Sequence, residues 1–261
     1  MEGKQNIFKA IDLTIGYPKK NGFITVQKSI NFDIDQGSFI AILGKNGIGK
    51  STLLKTLISE IKPINGGITL FGKEVENYTF KELSSLISVV LTEAIPLNQL
   101  TVYELVALGR QPYTNWIDSL TEGDRSSIEN ALKVTETDSF ADKKVYELSD
   151  GMKQRVLIAR ALAQDTPIMI LDEPTVHLDL YHTVAIFELL KTLVSQFNKT
   201  VIISSHQLNL ALKFASSFIV MTDDSVHFGD RSVLIDKKCF ENLFPNKSVF
   251  FDSKIEQFVV R

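Results

Sequence analysis

The chain holds one cysteine, Cys239, in 261 residues. No intramolecular disulfide can form, and no cysteine-based zinc cluster can be built. A lone cysteine suits a reducing compartment. Long apolar runs are missing as well; none approaches the roughly 20 residues that span a bilayer. An excess of one charge is also lacking. With 28 basic and 31 acidic residues the formal net charge is −3, which argues against a dedicated nucleic-acid binder acting by bulk charge. The start, Met1-Glu2-Gly3-Lys4-Gln5-Asn6, has no apolar stretch, so no secretory leader is expected. Low-complexity segments and short-period repeats are absent. What is there is an ordinary globular balance, 44% hydrophobic and 23% charged, which excludes disorder and collagen-like architecture. The length suits one large domain, or a core with a subdomain, that buries a full core without covalent staples. A soluble chain is expected, with any membrane role supplied by a partner.

Four short apolar, β-branched runs read as buried strands: Phe39–Leu43, Ser88–Leu91, Ile168–Leu171 and Val201–Ser204. They lack polar alternation, which predicts a mostly parallel sheet covered on both faces in an α/β fold. Helical spacing appears between them, over Ser51–Glu60 and Thr183–Gln196. From about Thr101 to Ala163 the pattern is mainly helical. Thr101 and Glu104 fit a capping box, and Thr121 with Asp124 a looser one. Met152, Val156, Ala159 and Ala163 share one face of a third helix. The expected organisation is an α/β core of residues 1–92 and 164–221, an inserted helical subdomain of 93–163, and a short C-terminal appendage of 222–261.

Gly44-Lys45-Asn46-Gly47-Ile48-Gly49-Lys50-Ser51 matches the pattern G-x-x-x-x-G-K-[ST] between a strand and a helix. Glycines let backbone N–H groups turn inward around phosphates, and the helix start adds unpaired donors. Lys50 can reach the β- and γ-phosphates; Ser51 offers a hydroxyl to magnesium. Thr52, next on that helix, joins the nucleotide-binding set. The run Ile168–Leu171 ends in Asp172 and Glu173. In a parallel sheet, ligands gather at the carboxyl ends of strands. Asp172 can therefore hold magnesium, directly or through water. Glu173 is the candidate to accept a proton from the attacking water or to orient it. Ser204-Ser205-His206 ends another strand. His206 either is merely solvated or contacts the γ-phosphate and polarises the water.

Leu148-Ser149-Asp150-Gly151-Met152-Lys153-Gln154-Arg155 sits at a helix start and precedes the acidic strand by a short helix. It resembles the signature of ABC-type ATPases, usually written LSGGQ. The phosphate loop, Leu171-Asp172-Glu173-Pro174, Leu178-Asp179 and His206 follow the order of that family. The resemblance implies a P-loop ABC-type ATPase core whose two copies pair head to tail and sandwich two ATP molecules with Mg2+. Each site would then take the phosphate loop from one protomer and Ser149, Asp150, Gly151 and Met152 from the other. Asp179 would be the D-loop residue connecting the sites. Tyr17 matches the aromatic that stacks on adenine, unless it is an ordinary strand-end tyrosine. The segment Leu100–Tyr113 is similar to that of ATPases serving ferric-siderophore, haem and cobalamin importers. It implies a homodimer at the cytoplasmic face of the inner or plasma membrane, a peripheral subunit of a separate integral-membrane permease. A substrate-binding protein would take part indirectly, and no nucleic acid would. The alternatives are an importer or exporter ATPase for another substrate, or a soluble ABC ATPase outside transport.

Three positions depart from the family. Asp150 replaces the first signature glycine, Met152 replaces the glutamine, and Thr92 followed by Glu93 stands where the family has a glutamine that reaches magnesium. A hydroxyl is a competent magnesium ligand, whereas a further carboxylate near Asp172, Glu173 and a triphosphate is electrostatically costly. Thr92, acting through water, is the favoured replacement, with Glu93 as the alternative. Thr92→Val is expected to lower ATP hydrolysis and raise the magnesium concentration needed for half-maximal rate. Glu93→Gln is expected to impair coupling to transport instead. A magnesium titration of both variants checks this, and the reverse pattern assigns the role to Glu93.

Overall fold

The computed structural model describes residues 5–91, 99–114, 119–244 and 248–261. Two long strands, β1 (Asn6–Lys19) and β2 (Gly22–Asp35), pair antiparallel around a turn at Lys20 and Asn21. Gly22 leaves that turn at φ +107°, a conformation that side chains rarely adopt. The chain continues through β3 (Phe39–Leu43), α1 (Lys50–Leu57), β4 (Asn65–Leu70), β5 (Lys73–Glu74), α2 (Phe80–Leu86) and β6 (Ile87–Val90). Three helices follow: α3 (Val102–Ala107), α4 (Glu122–Val134) and α5 (Asp150–Ala163). Then come β7 (Ile168–Leu171), α6 (Leu180–Phe197), β8 (Thr200–Ser204), α7 (Leu208–Phe214), β9 (Ser217–Met221) and β10 (Val226–Gly229). The chain closes with α8 (Arg231–Asp236), β11 (Val249–Asp252) and β12 (Gln257–Val260).

The main sheet has six strands in the order β10-β9-β3-β8-β7-β6, parallel except for the β10 edge. A second sheet, β2-β1-β4-β5, is antiparallel throughout. The expected parallel sheet is therefore joined by an antiparallel one that the sequence reading did not separate. Successive side chains of a strand point to opposite faces, and the main sheet uses both. Phe39, Ala41 and Leu43 of β3 enter the core shared with α5 and α6. Ile40 and Ile42 enter a second core, against Leu13 and Ile30 of the antiparallel sheet. β7 divides in the same way, Met169 and Leu171 to one side, Ile168 and Ile170 to the other. Burying each of the larger of these side chains contributes about 1.5–3 kcal/mol. That explains why these runs carry no polar alternation.

The residues expected to form an appendage from 222 onward do not stand apart. Val226–Gly229 is the edge strand of the main sheet. Phe240, Phe251 and Phe258 are buried, and Phe240 meets Phe218 of β9 edge-on at 5.8 Å.

Helices α3, α4 and α5 pack together, and α5 ties them to the core. Gln164, just past α5, donates to the Ser84 and Ile87 carbonyls at 2.6 and 3.2 Å. Thr101 and Thr121 both complete their capping boxes, the second with Asp124 in place of a glutamate. Buried Asp124 also takes a 2.8 Å hydrogen bond from Arg110 Nε. The Thr121 hydroxyl and then Arg110, opposing burial, bring the carboxyl down from its ordinary 3.8 to about 2. A depressed folded-state value gives stability that is complete above the unfolded pKa and is lost as pH falls through the folded one. The contribution should therefore fade between about pH 4 and pH 2. Asp124→Asn leaves Arg110 without its buried partner and is expected to cost about 3 kcal/mol in urea denaturation at pH 7. The deficit should shrink as the pH is lowered through that window.

Candidate nucleotide site

Three neighbouring strands of the main sheet, β3, β8 and β7, deliver their carboxyl ends to one edge. The phosphate loop leaves β3 and turns into α1 through Gly47 at φ +76° and Gly49 at φ +113°. Gly49 is also pressed by packing, because a Cβ there would lie 2.5 Å from Val26 Cγ1. The register pairs Leu171 with Ile203, so Asp172 comes up beside Ser204. Ser204 Oγ donates to Asp172 Oδ1 and accepts from the Glu173 backbone N–H at 2.8 Å. That bond helps hold Glu173 at φ +49°, a conformation costing about 1–3 kcal/mol for a residue with a side chain. Ser204 was not anticipated from the sequence; its position at the strand end is the signal that was available.

Lys50 is 4% exposed. Its ammonium donates to the carbonyls of Gly44 at 3.1 Å and Lys45 at 3.3 Å, and Glu173 Oε1 lies 3.8 Å away. Burial lowers its pKa, while Glu173 and Asp172 pull the other way. His206 Nε2 is 2.7 Å from Glu173 Oε1 and 3.3 Å from Lys50 Nζ. A carboxylate only accepts, so Nε2 must carry the proton in the shorter contact. The ammonium also only donates, which leaves the longer contact as proximity and not a hydrogen bond. His206 thus lies beside both Glu173 and Lys50.

Outside anchors hold the loop. Gln27 of β2 donates to the carbonyls of Ile48 at 3.3 Å and Thr222 at 2.8 Å. Exposed Lys45 pairs with Asp223 at 2.6 Å. Asn46 and Gly47 are exposed, Ile48 is buried and Ser51 is half-buried. The Tyr17 hydroxyl lies 2.9 Å from Thr52 Oγ1, tying β1 to α1 while the tyrosine stays 42% exposed. Thr52 itself is buried.

The second group of expected residues lies on other elements. Ser149 caps α5, accepting from Met152 N–H at 3.4 Å, with Asp150 exposed beside it and Lys153 3.7 Å from its carboxylate. Gly151 is buried. Asp179 caps α6 by accepting from His182 N–H at 2.8 Å. Thr92 and Glu93 lie outside the described residues. Among the described residues no group of three or more histidine, cysteine or acidic side chains stands ready to hold a metal, and no helix is long and apolar enough to cross a membrane.

The profile of the ABC transporter family matches residues 27–176. The chain belongs to the ABC transporter family. It is an ATPase of that family. The iron(3+)-hydroxamate import ATP-binding protein of Bacillus subtilis is 34% identical over 221 residues, covering 85% of this chain and 81% of that one. A metal-chelate type ABC transporter solved in an inward-facing conformation superposes with TM-score 0.79 at 27% identity, covering 98% of this chain and 96% of the other. A dimeric ATP-binding cassette in a post-hydrolysis state with ADP and phosphate gives TM-score 0.73 at 32% identity, over 86% and 98% of the two chains.

For an ABC ATPase built this way, Lys50→Ala is expected to abolish ATP binding in equilibrium titrations. Ser204→Ala should leave binding intact and slow hydrolysis by roughly tenfold, the equivalent of one hydrogen bond to a charged group. Phosphate-release assays with the two variants separate the effects.

Proposed function

We propose that this chain is the ATP-hydrolysing subunit of an importer for an iron chelate, haem or cobalamin, peripheral at the cytoplasmic face of a membrane under a separate permease. The observation that carries the chemical half is the convergence of Lys50, Glu173 and His206 at three adjacent strand ends. The transport half rests on likeness to the iron-hydroxamate import protein and the metal-chelate transporter.

In this reading the backbone N–H groups of residues 44–51 and the Lys50 ammonium bind the β- and γ-phosphates. Tyr17 offers its exposed ring face to the adenine. Glu173 takes the proton of the attacking water at Oε1. The His206 Nε2–H bond orients that carboxylate. The Ser51 hydroxyl and the Asp172 carboxylate form an all-oxygen donor set, which suits Mg2+, and Ser204 fixes the orientation of Asp172. Magnesium supplies neutralisation of charge on the phosphate oxygens. The signature of a second copy, with Ser149 and the Gly151 N–H at the start of α5, completes each site from across a homodimer. Likeness to a dimeric cassette supports that arrangement. Closure of the dimer around ATP then repositions the helical subdomains against the permease, a two-state element biased by nucleotide.

Glu173→Gln is expected to bind ATP and hydrolyse it about 10²–10⁴-fold more slowly, because an amide is no base. With ATP and magnesium it should accumulate as a dimer in light scattering. A permease should copurify with the tagged chain from detergent-solubilised membranes. Recovery only in the soluble fraction with nucleic acid would overturn the transport reading.

A further inference from the structure

Gly151 lies in the first turn of α5 with φ in the ordinary range, so its backbone does not require glycine. Glycine is unfavourable there relative to alanine, and its presence calls for a packing reason. The reason is one imidazole. A Cβ on Gly151 would lie 2.3 Å from His182 Cδ2, 2.7 Å from Cγ and 3.0 Å from Nε2. The three nearest atoms all belong to that ring. The same ring reaches the other way, with Nδ1 2.8 Å from Asp179 Oδ1, the oxygen that also accepts from the His182 backbone N–H. The carboxylate only accepts, so Nδ1 carries the proton, and the Cδ2 side of the ring faces Gly151. Tyr181 meets the ring edge-on at 5.4 Å. His182 thus joins two loops that the sequence keeps apart, the signature at the start of α5 and the Asp179 turn at the start of α6.

We infer that His182 is a positioning residue that locks the Asp179 turn to the signature, so that the two move as one piece within a protomer. The ring lies flat against a bare Cα, and the Asp179 bond restrains its rotation. Force applied by nucleotide at Ser149 and Gly151 passes directly to Asp179. The inference rests on the reading above that the signature contacts nucleotide across the dimer. It also explains why Gly151 persists while Asp150 and Met152, its neighbours, depart from the family pattern.

A double-mutant cycle tests it. Gly151→Ala in the otherwise unchanged chain is expected to lower the melting temperature, because the new methyl group strikes the ring. The same change made on top of His182→Ala is expected to raise it, because alanine then favours the helix without obstruction. In steady-state assays His182→Ala should lower kcat by about 10- to 100-fold, with ATP affinity of the isolated subunit unchanged, since Lys50 is untouched. His182→Phe keeps a ring and loses the Asp179 bond, and should show the same fall in kcat. The inference is overturned if Gly151→Ala shifts the melting temperature in the same direction in both backgrounds. It is equally overturned if both His182 variants hydrolyse ATP at the unmodified rate. Ser149→Arg assayed beside them tests the trans reading alone: normal hydrolysis by that variant sinks the trans contact whatever the His182 cycle returns.

Discussion

Burying the Lys50 ammonium carries a desolvation penalty of several kcal/mol, and much of the site's architecture offsets it. The carbonyls of Gly44 and Lys45 can face inward only because the loop turns through left-handed glycines. Glu173 comes within reach only because its backbone is left-handed too, which the bond to Ser204 sustains. Ser204 in turn depends on the pairing of β7 with β8, which sets Asp172 beside it. The β7–β8 register thus sets Asp172 and Glu173 against Ser204. A one-residue slip of β7 against β8 would break that pairing and turn the side chains of the slipped strand to the opposite face.

The antiparallel sheet serves the same site from outside. Gln27 and Tyr17 come from β2 and β1, and each reaches the phosphate loop or the helix that follows it. The core shared by the two sheets, with Leu13 and Ile30 against Ile40 and Ile42, is what sets those reaches. Lys45, bound to Asp223 after β9, adds a third anchor from the main sheet itself.

Much of this was legible in the residues, for reasons specific to each element. β3, β7 and β8 are buried on both faces, so uninterrupted apolar runs announced them. β1 and β2 were not separated, because bulges break their alternation. Register shifts fall between Ala10 and Leu13 and again before Gly16, with Asp12 at φ +44°. The Asn21-Gly22 pair, a common hairpin dipeptide, was the available sign. The phosphate loop, Asp172, Glu173 and His206 were readable because their types and order carry the chemistry. Ser204 and His182 were not. A serine at a strand end and a histidine on a helix are ordinary by composition, and only their contacts give them work. The same holds at the chain's end, where the short strands and turns after residue 222 give no sign in sequence that Phe240 packs against Phe218.

The strand order has a consequence for synthesis on the ribosome. β3 is flanked by β8 and β9, which lie some 160 residues further along the chain. At about 5–20 residues per second, β3 waits roughly 8–30 s for either neighbour to emerge. Throughout that interval both of its hydrogen-bonding edges are without their final partners, and so are Phe39, Ala41 and Leu43, whose core is completed by α5 and α6. An unpaired apolar strand is a template for association with other chains. The feature that gathers the nucleotide site therefore makes the nascent protein a natural client for chaperones until its last third has been made.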